Sequence, residues 1–149
     1  MNILIDTRVL GRLANRGDIA HWVARNAIAE LHRRGETLHL TPQNLVEFRN
    51  FATRPVKANG LGVTASAADG LSTNFEAAFS LLEETPDVYP AWKALVRALG
   101  VIGKQVHDAR LVAVCHVHGV SHLLTFNVAH FARLAGFGPG VVVVDPASV

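Results

Sequence analysis

Short apolar runs alternate with longer helical stretches along this chain, and that alternation constrains the fold more than any other feature. Strands separated by helices are joined by right-handed crossovers, which give a parallel sheet with helices on both faces. Ile3-Leu4-Ile5 is the first apolar run and ends at Asp6, with a helix predicted from about Thr7. A second helix is predicted over 18–34, with Asp18 as N-cap and Gly35 just past its end. Residues 37–40 read as a strand. Thr41-Pro42 then gives an N-cap with proline in the first helical position, and the helix places Leu45, Phe48 and Ala52 on one face. Residues 54–62, holding Pro55, Asn59, Gly60 and Gly62, read as a loop.

Ser66-Ala67-Ala68-Asp69 resembles a capping box with Asp in place of Glu. Residues 87–89 read as a short strand, and Pro90 starts another helix. A helix over 107–118 stops at Gly119, a strand covers 122–125, Asn127 caps a short helix, and 141–144 form the last strand. The expected fold class is α/β: one domain over 1–149, in three α/β/α layers around a mainly parallel central sheet.

Charge is uneven along this chain. Residues 1–57 carry nine Lys/Arg against five Asp/Glu, whereas the remainder carries five against seven. Arg8, Arg12 and Arg16 recur every four residues, so a helix would line them along one face, as a phosphate-binding stripe or as a solvated surface. No apolar stretch is long enough to span a membrane. The single cysteine, Cys115, forms no internal disulfide and points to a reducing compartment, the cytoplasm. Half the residues are hydrophobic, an apolar excess that predicts a surface for a partner or a second copy of the chain.

Four polar residues stand at the ends of strands or the starts of the helices that follow them, where ligands bind in open parallel sheets. Asp6 ends the first strand; it is placed either to cap the next helix or to face the crevice. Glu47 lies in the apolar turn Leu45-Val46-Glu47-Phe48, three residues after Asn44 on the same face. Asp108 opens a helix, where the helix dipole alone also explains an acid. Asn127 follows the strand over 122–125 and serves either as a cap or as an oxygen ligand.

Taken in order, these segments resemble the PIN-domain family, VapC-like toxins in particular. The matching pieces are Ile3-Leu4-Ile5-Asp6-Thr7, Thr41-Pro42-Gln43-Asn44-Leu45-Val46-Glu47-Phe48, Ala52-Thr53-Arg54-Pro55, Asn59-Gly60-Leu61-Gly62, His107-Asp108-Ala109-Arg110-Leu111-Val112-Ala113 and Leu124-Thr125-Phe126-Asn127. The resemblance implies an endoribonuclease that hydrolyses RNA phosphodiester bonds with Mg²⁺ or Mn²⁺. It implies a catalytic set of Asp6, Glu47, Asp108 and Asn127, with Asp6, Asp108 and Glu47 as metal ligands. It also implies an antitoxin partner and a homodimer. The chain departs from the family pattern at Asn127 and His130, where acids are common, and at Arg8, where a small polar residue is common. The first two departures remove negative charge and favour one firmly held ion over two. Clustered carboxylates repel one another and favour a cation, and Mg²⁺ takes oxygen ligands while keeping several waters.

Other chemistries find less support in the residues. His116 and His118 point in separated directions on a helix, and no cysteine pair is present, so structural zinc is not expected. His107 is placed to touch substrate or to orient Asp108. No phosphate-binding glycine loop follows a strand. The contrasting reading is a PIN-like RNA-binding or protein-interaction module with a weakened site.

Overall fold

The computed structural model describes residues 1–149. Its strands are β1 (Asn2–Ile5), β2 (Thr37–Leu40), β3 (Ser80–Leu81), β4 (His122–Leu124) and β5 (Val142–Val144). Its helices are α1 (Thr7–Ala14), α2 (His21–Arg33), α3 (Pro42–Thr53), α4 (Ala65–Ala78), α5 (Val88–Leu99), α6 (Gln105–His118) and α7 (Val128–Ala135). The five strands form one sheet in the order β3-β2-β1-β4-β5, and every pairing is parallel.

Alternation along β1 divides the core between the two faces of the sheet. Ile3 and Ile5 pack with Leu10, Ile28, Phe48 and Phe75 beneath α1–α4. Leu4 packs on the other side with Leu95, Leu111, Phe131 and Leu134 beneath α5–α7. Each of these buried side chains contributes roughly 1.5–3 kcal/mol of apolar transfer. The three α/β/α layers follow from this division.

β1 is the central strand, with Ile3 in register with Leu38 of β2 and His122 of β4. The chain leaves β1 toward β2 and β3 on one side, and later fills β4 and β5 on the other. The crevice between β1 and β4 is thus the switch point of the sheet, where ligands of such folds bind. Parallel pairing brings the C-terminal ends of β1, β2 and β4 to this one edge.

Several expected elements are placed differently. α2 starts at His21, not Asp18, because Asp18 closes a local turn by accepting from the Ala20 N–H at 2.8 Å. α4 is capped by Thr64, which accepts from the Ala67 N–H at 3.1 Å, while Asp69 pairs instead with Arg49. Residues 88–89 belong to the first turn of α5, which buries Val88 and Leu95 seven positions apart on one face, and the strand of this region is Ser80–Leu81. α1 ends at Ala14, so Arg16 lies off the helix and the expected three-arginine stripe does not form. No helix is long and apolar enough to cross a membrane.

Candidate functional site

Glu47 of α3 and Asp108 of α6 face one cavity of about 750 Å³ lined mainly by α1, α3 and the start of α6, and Asp6, the residue after β1, lies behind it against Arg8 of the lining. Glu47 and Asp108 line it directly, together with Arg8, Arg12, Arg54 and Lys104. Asp6 lies deeper, 1% exposed. Its backbone N–H donates to Leu124 O at 2.9 Å, continuing the β1–β4 ladder by one residue and fixing the main chain. Its side chain makes no capping bond to α1. Oδ2 instead accepts from the Thr125 hydroxyl at 2.7 Å and from Arg8 Nη1 at 3.3 Å.

Glu47 is held by both oxygens. Oε2 accepts from the Thr7 hydroxyl at 2.9 Å and Oε1 from Gln43 Nε2 at 2.7 Å. Thr7 in turn accepts from Asn44 Nδ2 at 3.1 Å. Asn44 is fully buried and forms the capping box of α3 with Thr41. The same asparagine therefore starts the helix and aims the threonine that orients Glu47. Gln43 extends the support further. Its Nε2 also donates to the His107 carbonyl at 2.9 Å, and its Oε1 accepts from Arg110 Nη1 at 3.1 Å. Arg110 is anchored in turn by both carboxylate oxygens of Glu84. The helix carrying Glu47 is thereby tied to the start of the helix carrying Asp108.

Asp108 lies in the first turn of α6 and is 9% exposed. Asn127 stands at the cap position of α7 but makes no side-chain capping bond. Its backbone N–H donates to Thr125 Oγ1 at 3.0 Å. With the amide oxygen turned inward, its side chain accepts from Arg8 Nε at 2.7 Å. His130 is exposed, and His107 is exposed at the cavity wall.

Arg8 is the hub that the local sequence did not disclose. Its Nη1 lies 3.3 Å from Asp6 and 3.6 Å from Asp108, and its Nε meets Asn127. Burial raises the Asp6 carboxyl above its ordinary value, against the lowering effects of Thr125 and Arg8. Asp108 is also raised, first by burial and then by Asp6 and Glu47, while Arg8 opposes the shift. For Arg8, burial pulls the guanidinium down, but Asp6 and Asp108 outweigh it and leave it raised. The site is an acidic floor that costs free energy to charge, with one internal cation set into it.

The donor set fits a hard divalent cation in kind: carboxylates with an amide oxygen beside them, and no thiolate or imidazole among the converging groups. In spacing, no group of three carboxylate, histidine or cysteine side chains is arranged to hold an ion. Asp6, Asp108 and Glu47 are the residues that would hold one, and the Arg8 guanidinium occupies the space between the first two.

Arg12 also lines the cavity, bound to Asp18 at 3.3 Å and lying 5.0 Å over the Phe126 ring. Arg8 and Arg12 are thus both engaged with acids rather than free along a helix face. Trp22, 61% exposed, lies outside the core, whereas Phe131 is fully buried.

The PIN domain family model matches residues 3–136, and the chain belongs to that family. Solved structures with the same fold include VapBC2 from Rickettsia felis, bound to a DNA fragment from its promoter. It is 14% identical, with TM-score 0.71, over 97% of this chain and 98% of that one. FitAcB from Neisseria gonorrhoeae is 16% identical, with TM-score 0.67, over 99% of both chains. VapC20 from Mycobacterium tuberculosis, a toxin that cleaves the sarcin-ricin loop, is 21% identical, with TM-score 0.61, over 87% of this chain and 93% of that one. A search of curated protein sequences found no match.

Proposed function

We propose that this PIN-domain protein is a metal-dependent endoribonuclease that hydrolyses RNA phosphodiester bonds, and that it is the toxin of a toxin–antitoxin pair. The observation carrying the reading is that Glu47 and Asp108 line one cavity while Asp6 lies just behind it, joined to Asp108 through Arg8, although the three come from distant segments; neither Asp6 nor Asp108 caps a helix through its side chain. Asp6, Asp108 and Glu47 would hold Mg²⁺ or Mn²⁺, with Asn127 beside them. When bound, such an ion favours hydroxide over water and neutralises charge on the phosphodiester.

The remaining work falls to this chain's own residues. Thr125 and Thr7 fix the carboxylates of Asp6 and Glu47 by hydrogen bonds, so that little reorganisation is left for the reaction. Arg54 and Lys104 on the cavity wall supply positive charge for the RNA backbone. His107, exposed at the same wall, is placed to contact the bound strand.

The toxin assignment draws support from structural neighbours that are toxin–antitoxin complexes. Exposed Ile19, Trp22 and Val23 cluster near the start of α2, an apolar surface suited to an antitoxin segment or a second copy of the chain. We place the protein in the cytoplasm, in keeping with its single, buried Cys115, whose thiol burial pushes up to about 12.

One observation favours the contrasting reading of an inactive RNA-binding module: Arg8 and the neutral Asn127 both reduce the negative charge available to a metal. Cleavage of structured RNAs in Mg²⁺ and Mn²⁺, beside the Asp6→Asn variant, separates the two. The nuclease reading expects cleavage by the wild type that chelation abolishes and that Asp6→Asn eliminates, with the melting temperature kept. The amide of asparagine is nearly the same size and its oxygen can still accept from Thr125 and Arg8, so a purely structural Asp6 would tolerate the change. RNA binding without cleavage under all metal conditions would establish the module instead.

A further inference from the structure

We propose that Arg8 is the resident cation of this site, and that metal loading is an exchange in which its guanidinium gives up Asp6 and Asp108 and turns to a substrate phosphate. The inference rests on the nuclease reading above and adds to it a residue that governs metal affinity and then contacts RNA.

Three contacts set Arg8 in the cluster. Nη1 reaches Asp6 Oδ2 at 3.3 Å and Asp108 Oδ1 at 3.6 Å, and Nε meets the Asn127 amide oxygen at 2.7 Å. One charged group therefore touches three of the four residues of the candidate catalytic set. A divalent ion and the guanidinium are alternative partners for the same oxygens, since two cations held within a few ångströms repel strongly wherever water is partly excluded.

The geometry also permits the exchange. The Arg8 side chain is 42% exposed, whereas Asp6 is 1% exposed, so the cation is the member of the pair with open space to turn into. Both ion pairs are longer than a well-made charge-assisted bond of about 2.7–2.9 Å, so the guanidinium is held by several modest contacts rather than by one tight fork. Arg8 lines the same cavity as Arg54 and Lys104. Once released it faces the same space as the RNA backbone, where a planar guanidinium pairs readily with phosphate.

The test is calorimetric titration of Mn²⁺ into metal-stripped wild type, Arg8→Gln, Arg8→Met, Arg8→Lys and Asp6→Asn, all free of RNA. Exchange predicts that both neutral variants bind Mn²⁺ at least about tenfold more tightly than wild type, because an opposing unit charge has been removed at contact range. The lysine variant stays close to wild type. If the neutral variants match wild type while Asp6→Asn loses the ion, the exchange is wrong and the metal site stands. If no protein binds Mn²⁺ in an Asp6-dependent way, the metal reading falls and the exchange falls with it. The hand-over is read by anisotropy of a labelled RNA on ice, with and without Mn²⁺. Mn²⁺ should raise RNA affinity more in wild type than in Arg8→Gln, and an equal gain in both would overturn the hand-over.

Discussion

Replacing Thr125 with valine should loosen the floor of the cavity without touching any carboxylate. Thr125 is fully buried at the end of β4, and its hydroxyl does two things at once. It donates to Asp6 Oδ2 at 2.7 Å and accepts from the Asn127 N–H at 3.0 Å. Valine has nearly the same shape but no hydroxyl, so Asp6 Oδ2 keeps only the 3.3 Å bond from Arg8 and the half-buried Asn127 N–H loses its partner. A hydrogen bond to a charged group is worth about 1.5–3 kcal/mol and one to a neutral backbone group about 1 kcal/mol. The expected loss is thus about 2.5–4 kcal/mol. At about 2–4 °C per kcal/mol for a domain of this size, that is a fall in Tm of about 5–16 °C. The Asp6 carboxyl should also rise further, because Thr125 is the first of the influences that lower it. Cleavage in Mg²⁺ should drop with it, since Asp6 loses the bond that orients it. Thr125→Ser keeps the hydroxyl and loses one methyl, so it should recover most of both. The measurements are thermal and urea unfolding with chelator present, beside RNA cleavage. A valine variant within about 0.5 kcal/mol of wild type, or a serine variant no better than valine, would refute the reasoning, because surface-like neutrality is incompatible with the loss of a buried bond to Asp6.

Two further outcomes follow from the same geometry. Gln43→Ala removes the link among Glu47, His107 and Arg110, and should lower cleavage while costing about 1 kcal/mol in unfolding, because this network is only partly buried; unchanged activity would show that Glu47 does not need this support. Gly60→Ala should destabilise the chain by roughly 3 kcal/mol or prevent soluble expression, because a Cβ there would meet the Arg54 carbonyl oxygen at 2.0 Å, a backbone atom that cannot swing aside. A normally melting alanine variant would mean that the turn at the end of α3 can open.

Residues whose role is set by their immediate neighbours were legible in the sequence. Ile3-Leu4-Ile5 and Thr37–Leu40 form strands at the expected positions, because a short apolar run bounded by polar residues has few other uses in this pattern. Thr41-Pro42 starts α3 as its capping chemistry requires. The segment around Tyr89 misled because Val and Tyr are strand formers, yet the first turn of α5 buries Val88 against the core. Ser80–Leu81 escaped notice because a two-residue, exposed edge strand has no periodicity to read.

The carboxylates of the site were visible as acids placed just after strands or at a helix start. Their supports were not. Thr7 reaches Glu47 across 40 positions and Thr125 reaches Asp6 across 119, and no local pattern records a contact of that range. Arg8 was visible only as one of three regularly spaced arginines and as a departure from a family pattern. Its part in the cluster required Asp108 and Asn127 to be brought beside it.

That long-range assembly bears on how such a chain is made. Asp6 and Glu47 are synthesised early, but the groove between β1 and β4 has no second wall until residues near Thr125 have been added. A nascent chain that has reached only α5 carries two of the acids, but neither Asp108 nor the hydroxyl that holds Asp6. Contacts so distant in sequence also form late in folding, after their loop-closure entropy has been met. If the proposed nuclease activity holds, the site that carries it is therefore incomplete for most of the chain's own synthesis and closes only near release.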